Sequence, residues 1–139
     1  QAINAANTGH SVITTIHANS CEDTYYRMVT LCKQEQPGMD DATLQNLATK
    51  AFPIVAFAKR LEDNSRRIME ITECETLQDG RKKMRTLYRF NITDNIIADG
   101  KPKVIGHYEK VENLSEGLQK RLRENGLPLK MQEQLLTKR

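Results

Sequence analysis

Residues 8–20 of this 139-residue chain read TGHSVITTIHANS, and they carry its clearest structural and chemical pattern. Residues 11–18 are rich in β-branched side chains, which predicts a buried strand. Gly9 before them predicts the end of a helix, because glycine readily adopts the left-handed conformation that closes helices. Ser20 forms a capping-box pattern with Asp23, which predicts that a second helix begins directly after the strand.

Outward from this stretch, the apolar pattern alternates between helical and strand periods. A helix is predicted from Asp41, and the apolar run at residues 54–58 predicts a central strand. Ser115 predicts the cap of the first of two terminal helices. The remaining turns are predicted at Asp63-Asn64, Asp79-Gly80 and Asp99-Gly100, and the remaining strands at residues 67–74, 84–92 and 104–111.

Composition narrows the class of protein. The chain has 21 basic and 18 acidic residues, and this balance is too even to indicate a nucleic-acid partner by itself. Its three cysteines form no CxxC pair, which favours a reducing cytosol over a disulfide framework. No apolar run approaches the roughly 20 residues that a membrane-spanning helix needs. The length predicts one compact domain.

Two histidines, His10 and His17, bracket the predicted strand. Ligands of open α/β sheets lie beyond the carboxyl ends of the strands, where His17 is expected. An imidazole there could donate a hydrogen bond to a phosphate oxygen. The alternatives are a satisfied polar residue with no function, or a zinc site with Cys21. Seven positions of extended chain separate the two histidines, which argues against a shared ion.

Residues 5–10 and 14–20 resemble the His box of the secretion ATPase superfamily, which comprises type II secretion, type IV pilus and type IV secretion motors. The resemblance is closest to the tight-adherence (Flp) pilus and conjugation branch. Residues 60–73 resemble the hairpin that follows the core strand in this family. Asp63-Asn64 replaces the usual Asp-Gly turn, a mild departure because asparagine also tolerates the left-handed conformation.

The resemblance implies an α/β fold: the C-terminal part of a RecA-like P-loop NTPase core, with an antiparallel strand extension and terminal helices. Residues 1–75 would form the core part with the His box, and residues 76–139 the extension within the same domain. The complete protein would be a homohexameric ATPase at the cytoplasmic face of the cell membrane. It would bind ATP and Mg²⁺ and contact neighbouring subunits and an inner-membrane platform protein.

The resemblance also implies site residues. His17 and His10 would act in catalysis, near the γ-phosphate. The predicted nucleotide contacts are Thr15, Asn19, Arg66 and Arg67, although a solvated, ion-paired strand face is the simpler interpretation of the two arginines. No resident metal ligand is predicted.

The phosphate-loop pattern G-x-x-x-x-G-K-[ST] is absent from the 139 residues, as is a candidate Walker B strand. The sequence opens in what reads as a helix already under way. We therefore expect an excised fragment that holds no nucleotide tightly and is inactive alone. The alternative function is a non-catalytic basic module that docks on nucleic acid or on a membrane partner.

Overall fold

The structure, a computed structural model, describes residues 1–136. Its helices are α1 (Ala2–Asn7), α2 (Cys21–Glu35), α3 (Asp41–Ala51), α4 (Glu116–Glu124) and α5 (Leu129–Leu136). Its strands are β1 (Ile54–Arg60), β2 (Arg66–Thr76), β3 (Lys82–Ala98) and β4 (Lys101–Lys110). The strands form one antiparallel sheet in the order β1-β2-β3-β4. The prediction of a mixed α/β fold is confirmed.

Contacts divide the chain into two compact units. The first contains Gln1–Val55 and Cys74–Met84, and the second contains Ala56–Glu73 and the residues from Arg85 onward. The first unit therefore holds α1, α2 and α3, and the second holds α4, α5 and β4.

A small apolar core holds the first unit together. Tyr25 and Met28 on α2 pack with Ala48 on α3 and with Cys74 on β2. The Tyr25 hydroxyl donates a hydrogen bond of 2.5 Å to the Phe52 carbonyl, so this buried polar group is satisfied. Partly buried apolar side chains surround this core: Ile3, Ile16, Phe52, Val55 and Met84.

The predicted turns are present and have the expected backbone. Asn64 has φ 63°, and Asp99 and Gly100 have φ 52° and 73°. Such left-handed conformations close tight hairpins, because their twist matches that of the flanking strands. Gly80 (φ 83°) likewise lies in the turn between β2 and β3.

The second unit is organised around the β3–β4 pair. Phe90 lies opposite Tyr108 in the antiparallel register, with ring centroids 5.0 Å apart. Gly106 lies beneath the Phe90 ring, and a Cβ atom built there would meet Phe90 Cζ at 2.7 Å and the Asn91 carbonyl oxygen at 2.3 Å. The close approach of these strands therefore requires glycine at this position.

A buried carboxylate ties β2 to the start of α4. Glu73 is only 3% exposed, and it accepts hydrogen bonds from the Ser115 N–H at 2.8 Å and from the Ser115 hydroxyl. The same hydroxyl oxygen accepts the Leu118 N–H at 3.1 Å, so Ser115 caps α4 as predicted. The local sequence thus predicted that Ser115 caps α4, but it did not predict that Ser115 also bonds to Glu73.

One predicted strand is absent, and another is present but lies at the edge of the sheet instead of its centre. Residues 11–18 form no strand in the described part of the chain, where β1 to β4 pair only with one another. β-branched residues favour strands only where a neighbouring strand supplies the hydrogen-bonded ladder, and this segment has none. The run at residues 54–58 does form a strand, but β1 lies at the edge of the sheet and alternates between exposed and half-buried positions.

Candidate functional site

The segment with both histidines connects α1 to α2 and is anchored at each end. Gly9, with φ 94°, follows the last turn of α1. At the other end, Ser20 Oγ accepts the Asp23 N–H at 3.0 Å, and Asp23 Oδ2 accepts the Asn19 N–H at 2.9 Å. The capping box is therefore confirmed, with the reciprocal bond one residue earlier than in the standard pattern.

Between these anchors, the predicted site residues lie at the surface. His10, Thr15, His17 and Asn19 are all exposed. His10 Nδ1 lies 3.4 Å from the Thr8 hydroxyl, which donates to the Asn4 and Ala5 carbonyls of α1 at 3.0 Å. His10 therefore lies beside the end of a helix, whereas the His17 side chain is exposed.

Ile16 fixes the place of His17 on the first unit. Its side chain packs against the Tyr25–Met28 core, while the next residue points to the surface. Thr15 and Ile16 also line a cavity of about 310 Å³, together with residues of α1, α2 and α3. The partly buried Ile16 thus lies between two exposed polar residues, Thr15 and His17, and it fixes His17 at the surface without a paired strand.

Arg66 and Arg67 begin β2 and belong to the second unit. Arg66 is exposed, but the Arg67 guanidinium carbon lies 4.9 Å from the centroid of the Phe90 ring. Such a cation–π contact directs the Arg67 side chain towards Phe90 of the same unit. The Arg67 Nε is buried and has no hydrogen-bond partner among the described residues. Arg66 is consequently the more accessible of the two.

The predicted site residues belong to different units: His10, Thr15, His17 and Asn19 to the first, and Arg66 and Arg67 to the second. Within residues 1–136, no hydrogen bond or ion pair joins any two of the four first-unit residues, or the two arginines to each other. In the same described range, no three His, Cys, Asp or Glu side chains are grouped so that they could hold a metal ion. No helix of that range is both long and apolar enough to cross a bilayer.

The sequence predicted Asp63 only as part of a turn, but its carboxylate also bonds to the backbone of β4. Its carboxylate accepts the Ser65 hydroxyl at 2.5 Å and the Ser65 N–H at 3.0 Å. It also accepts the Val104 N–H at 3.0 Å, from a residue 41 positions later in the sequence. These hydrogen bonds, and the nearby Arg67 charge, lower the pKa of Asp63 from 3.8 to about 2.

This lowered pKa predicts a pH dependence of stability. A carboxyl group with a lower pKa in the folded state stabilises the fold above its unfolded value, and the effect is lost as pH falls from about 4 towards about 2. We expect the wild type to be more stable than Asp63→Asn near neutral pH, with a gap that narrows over this acidic interval. Urea unfolding of both proteins across the range measures the gap. An equal gap at both ends would contradict the prediction.

The comparisons with known proteins place the chain in a family. A family model described as "Type II/IV secretion system protein" matches residues 1–137. A search of curated proteins found no match. Since the family model covers nearly the whole chain, the protein belongs to the type II/IV secretion system protein family and is a domain of the secretion and pilus ATPase type.

Proposed function

We propose that this chain is the C-terminal, nucleotide-sensing part of a motor ATPase that drives protein secretion or pilus assembly. The match to the type II/IV secretion family over residues 1–137 carries this proposal. The likeness of residues 5–20 and 60–73 to the tight-adherence and conjugation motors supports the finer assignment to that branch. The sensing part is a RecA-like core segment at residues 1–75, extended by residues 76–139 in the same domain.

The proposed sensor is His17, which hydrogen-bonds the γ-phosphate of ATP. Its exposure, next to the partly buried Ile16, supports this role. Asn19 and Thr15 are polar and exposed on the same short segment, and they bind nearby oxygens of the nucleotide. His10 bonds to the end of α1 and acts on coupling between domains.

The arginines have different roles in this proposal. Exposed Arg66 contacts phosphate or a neighbouring subunit, since an arginine can bind two anionic oxygens at once. Arg67 orients the start of β2 through Phe90 and Asp63. Arg67 therefore contributes to nucleotide binding indirectly, by positioning the start of β2.

These residues fit ATP and Mg²⁺ only in part. His17 and Asn19 can donate hydrogen bonds to phosphate oxygens. The cap of α2 is less suitable, because Ser20 and Asp23 already accept two of the backbone N–H groups there. Mg²⁺ neutralises charge on the phosphates when bound, and its ligands and the phosphate loop belong to other parts of the complete protein.

The assembly and the location follow from the same proposal. The complete protein works as a homohexamer at the cytoplasmic face of the membrane, against an inner-membrane platform protein. The energy of ATP hydrolysis is coupled to the movement of a protein or a pilin.

The test is to compare ATP hydrolysis by the complete protein with that by the 139-residue chain. We expect Mg²⁺-dependent phosphate release from the complete protein and none from the purified chain, because the chain has no phosphate-loop pattern. The His17→Ala variant of the chain controls for a contaminating ATPase, which the substitution would leave unchanged. An inactive complete protein, or turnover by the chain that His17→Ala abolishes, would contradict the proposal.

A further inference from the structure

The outer edge of β4 has the features of a strand-pairing surface. β4 is the last strand in the sheet order, so its outer edge pairs with no strand in the described part of the chain. Large apolar side chains are exposed on β4 and on the neighbouring end of β3: Ile105 is 39% exposed, Tyr108 56% and Ile97 71%. Exposed apolar edge strands are templates for pairing with another chain.

Backbone hydrogen bonds show which residues of β4 face outward. The Val111 N–H, directly after β4, donates to the Leu87 carbonyl, and the Thr93 hydroxyl donates to the Ile105 carbonyl. Within β4 the odd-numbered residues therefore direct their backbone groups towards β3, whereas beyond the strand the Glu112 N–H also donates to β3, at the Thr86 carbonyl. The even-numbered residues therefore direct theirs to the outer edge. Val104 fits this rule, because its N–H points away from β3 and donates to Asp63.

The turn between β1 and β2 occupies part of the outer edge of β4. The Asp63 carboxylate takes the Val104 N–H, and that contact holds the turn against β4. Pro102, two residues earlier, has no N–H to offer. At the end of β4, the Lys110 ammonium donates to the Leu135 carbonyl of α5. The more open part of the edge is therefore the short stretch from Gly106 to Tyr108.

The charges of β4 are complementary to those of a second β4 strand that runs antiparallel to it. An antiparallel pair of two β4 strands centred on Gly106 would place Lys103 of each copy opposite Glu109 of the other. It would also place Tyr108 opposite Val104, and both of these direct their backbone groups outward, as a hydrogen-bonded pair requires. Lys103 and Glu109 are both exposed. Glu109 Oε2 accepts a hydrogen bond of 2.7 Å from Asn91 Nδ2, so the second carboxylate oxygen is the one that would pair with Lys103 of the other copy.

We propose that the outer edge of β4 binds β4 of a second copy of this chain in this antiparallel register, and that Asp63 limits the association by holding Val104. The partner is a second copy because the opposite charges meet twice under one twofold axis. The association joins two sheets through main-chain hydrogen bonds. It is independent of the nucleotide role proposed above.

The test measures self-association of the full 139-residue chain by sedimentation equilibrium at micromolar concentrations. We expect Asp63→Ala to strengthen dimerisation about tenfold or more, because it removes a charge-assisted competitor for the Val104 N–H. Ser65→Ala is the matched control. It removes one turn bond to Asp63 but leaves the carboxylate on Val104, so we expect little change.

Charge exchange tests the register. In the Asp63→Ala background, Glu109→Lys should abolish the dimer, and adding Lys103→Glu should restore it. Circular dichroism and urea unfolding establish that each variant is folded.

If Asp63→Ala does not fold, Asp63→Asn keeps the side-chain shape with a weaker acceptor and should give a smaller increase in dimerisation. Folded variants that stay monomeric, or a dimer that is insensitive to the charge exchange, would overturn the proposal.

Discussion

Replacing Gly106 with alanine is expected to lower the free energy of unfolding by about 3 kcal/mol, near the upper end of the usual range for overpacked positions. The added Cβ would lie 2.3 Å from the backbone oxygen of Asn91 and 2.7 Å from Phe90 Cζ. A side chain can rotate away, but a carbonyl oxygen in the β3–β4 ladder moves only with its strand. The substitution therefore separates the two strands at the centre of the second unit.

Gly117 offers a matched control on α4. A Cβ there would meet nothing closer than the Ser115 hydroxyl oxygen at 4.0 Å. Because alanine is favoured over glycine within helices by roughly 0.5–1 kcal/mol, Gly117→Ala should be neutral or stabilising. Urea unfolding of both variants measures the difference. A Gly106→Ala protein as stable as the wild type would show that the strands do not approach as closely as the structure describes.

Local sequence signals predicted the ends of helices and the turns well. The Ser20–Asp23 cap, the Ser115 cap and the left-handed Asn64 all depend on neighbours within a few residues, and all are present. Their energies are local, so a short pattern is sufficient to identify them.

Contacts between distant parts of the chain were beyond sequence patterns. The Asp63–Val104 and Glu73–Ser115 hydrogen bonds join residues 41 and 42 positions apart, and no periodicity reports such a pairing. The strand predicted at residues 11–18 fails for the same reason, since its composition favours a strand but cannot supply the partner. The sequence predicted His17 as a site residue because it would lie at the end of this strand, which the described structure lacks. Its proposed role therefore depends on the family resemblance and on its exposure.

The largest functional effect is expected at His17 in the complete protein. If its imidazole stabilises charge on the γ-phosphate more in the transition state than in the bound substrate, its removal lowers kcat more than it raises KM. Losing one polar stabiliser of this kind costs on the order of 10²-fold in kcat. His17 is exposed, so its truncation to alanine should leave the fold intact.

His10 provides the internal comparison, because it is the same residue type on the same segment. It lies beside the Thr8 hydroxyl at the end of α1. We expect His10→Ala to reduce coupling between domains, with a milder loss of basal hydrolysis.

The most direct measurement is therefore kcat and KM for ATP hydrolysis by the complete protein and by its His17→Ala and His10→Ala variants, alongside their unfolding curves. We expect a loss of about 10²-fold in kcat for His17→Ala, a small change in KM and only a mild effect of His10→Ala. Well-folded variants in which His10→Ala abolishes hydrolysis while His17→Ala retains the wild-type kcat would contradict it.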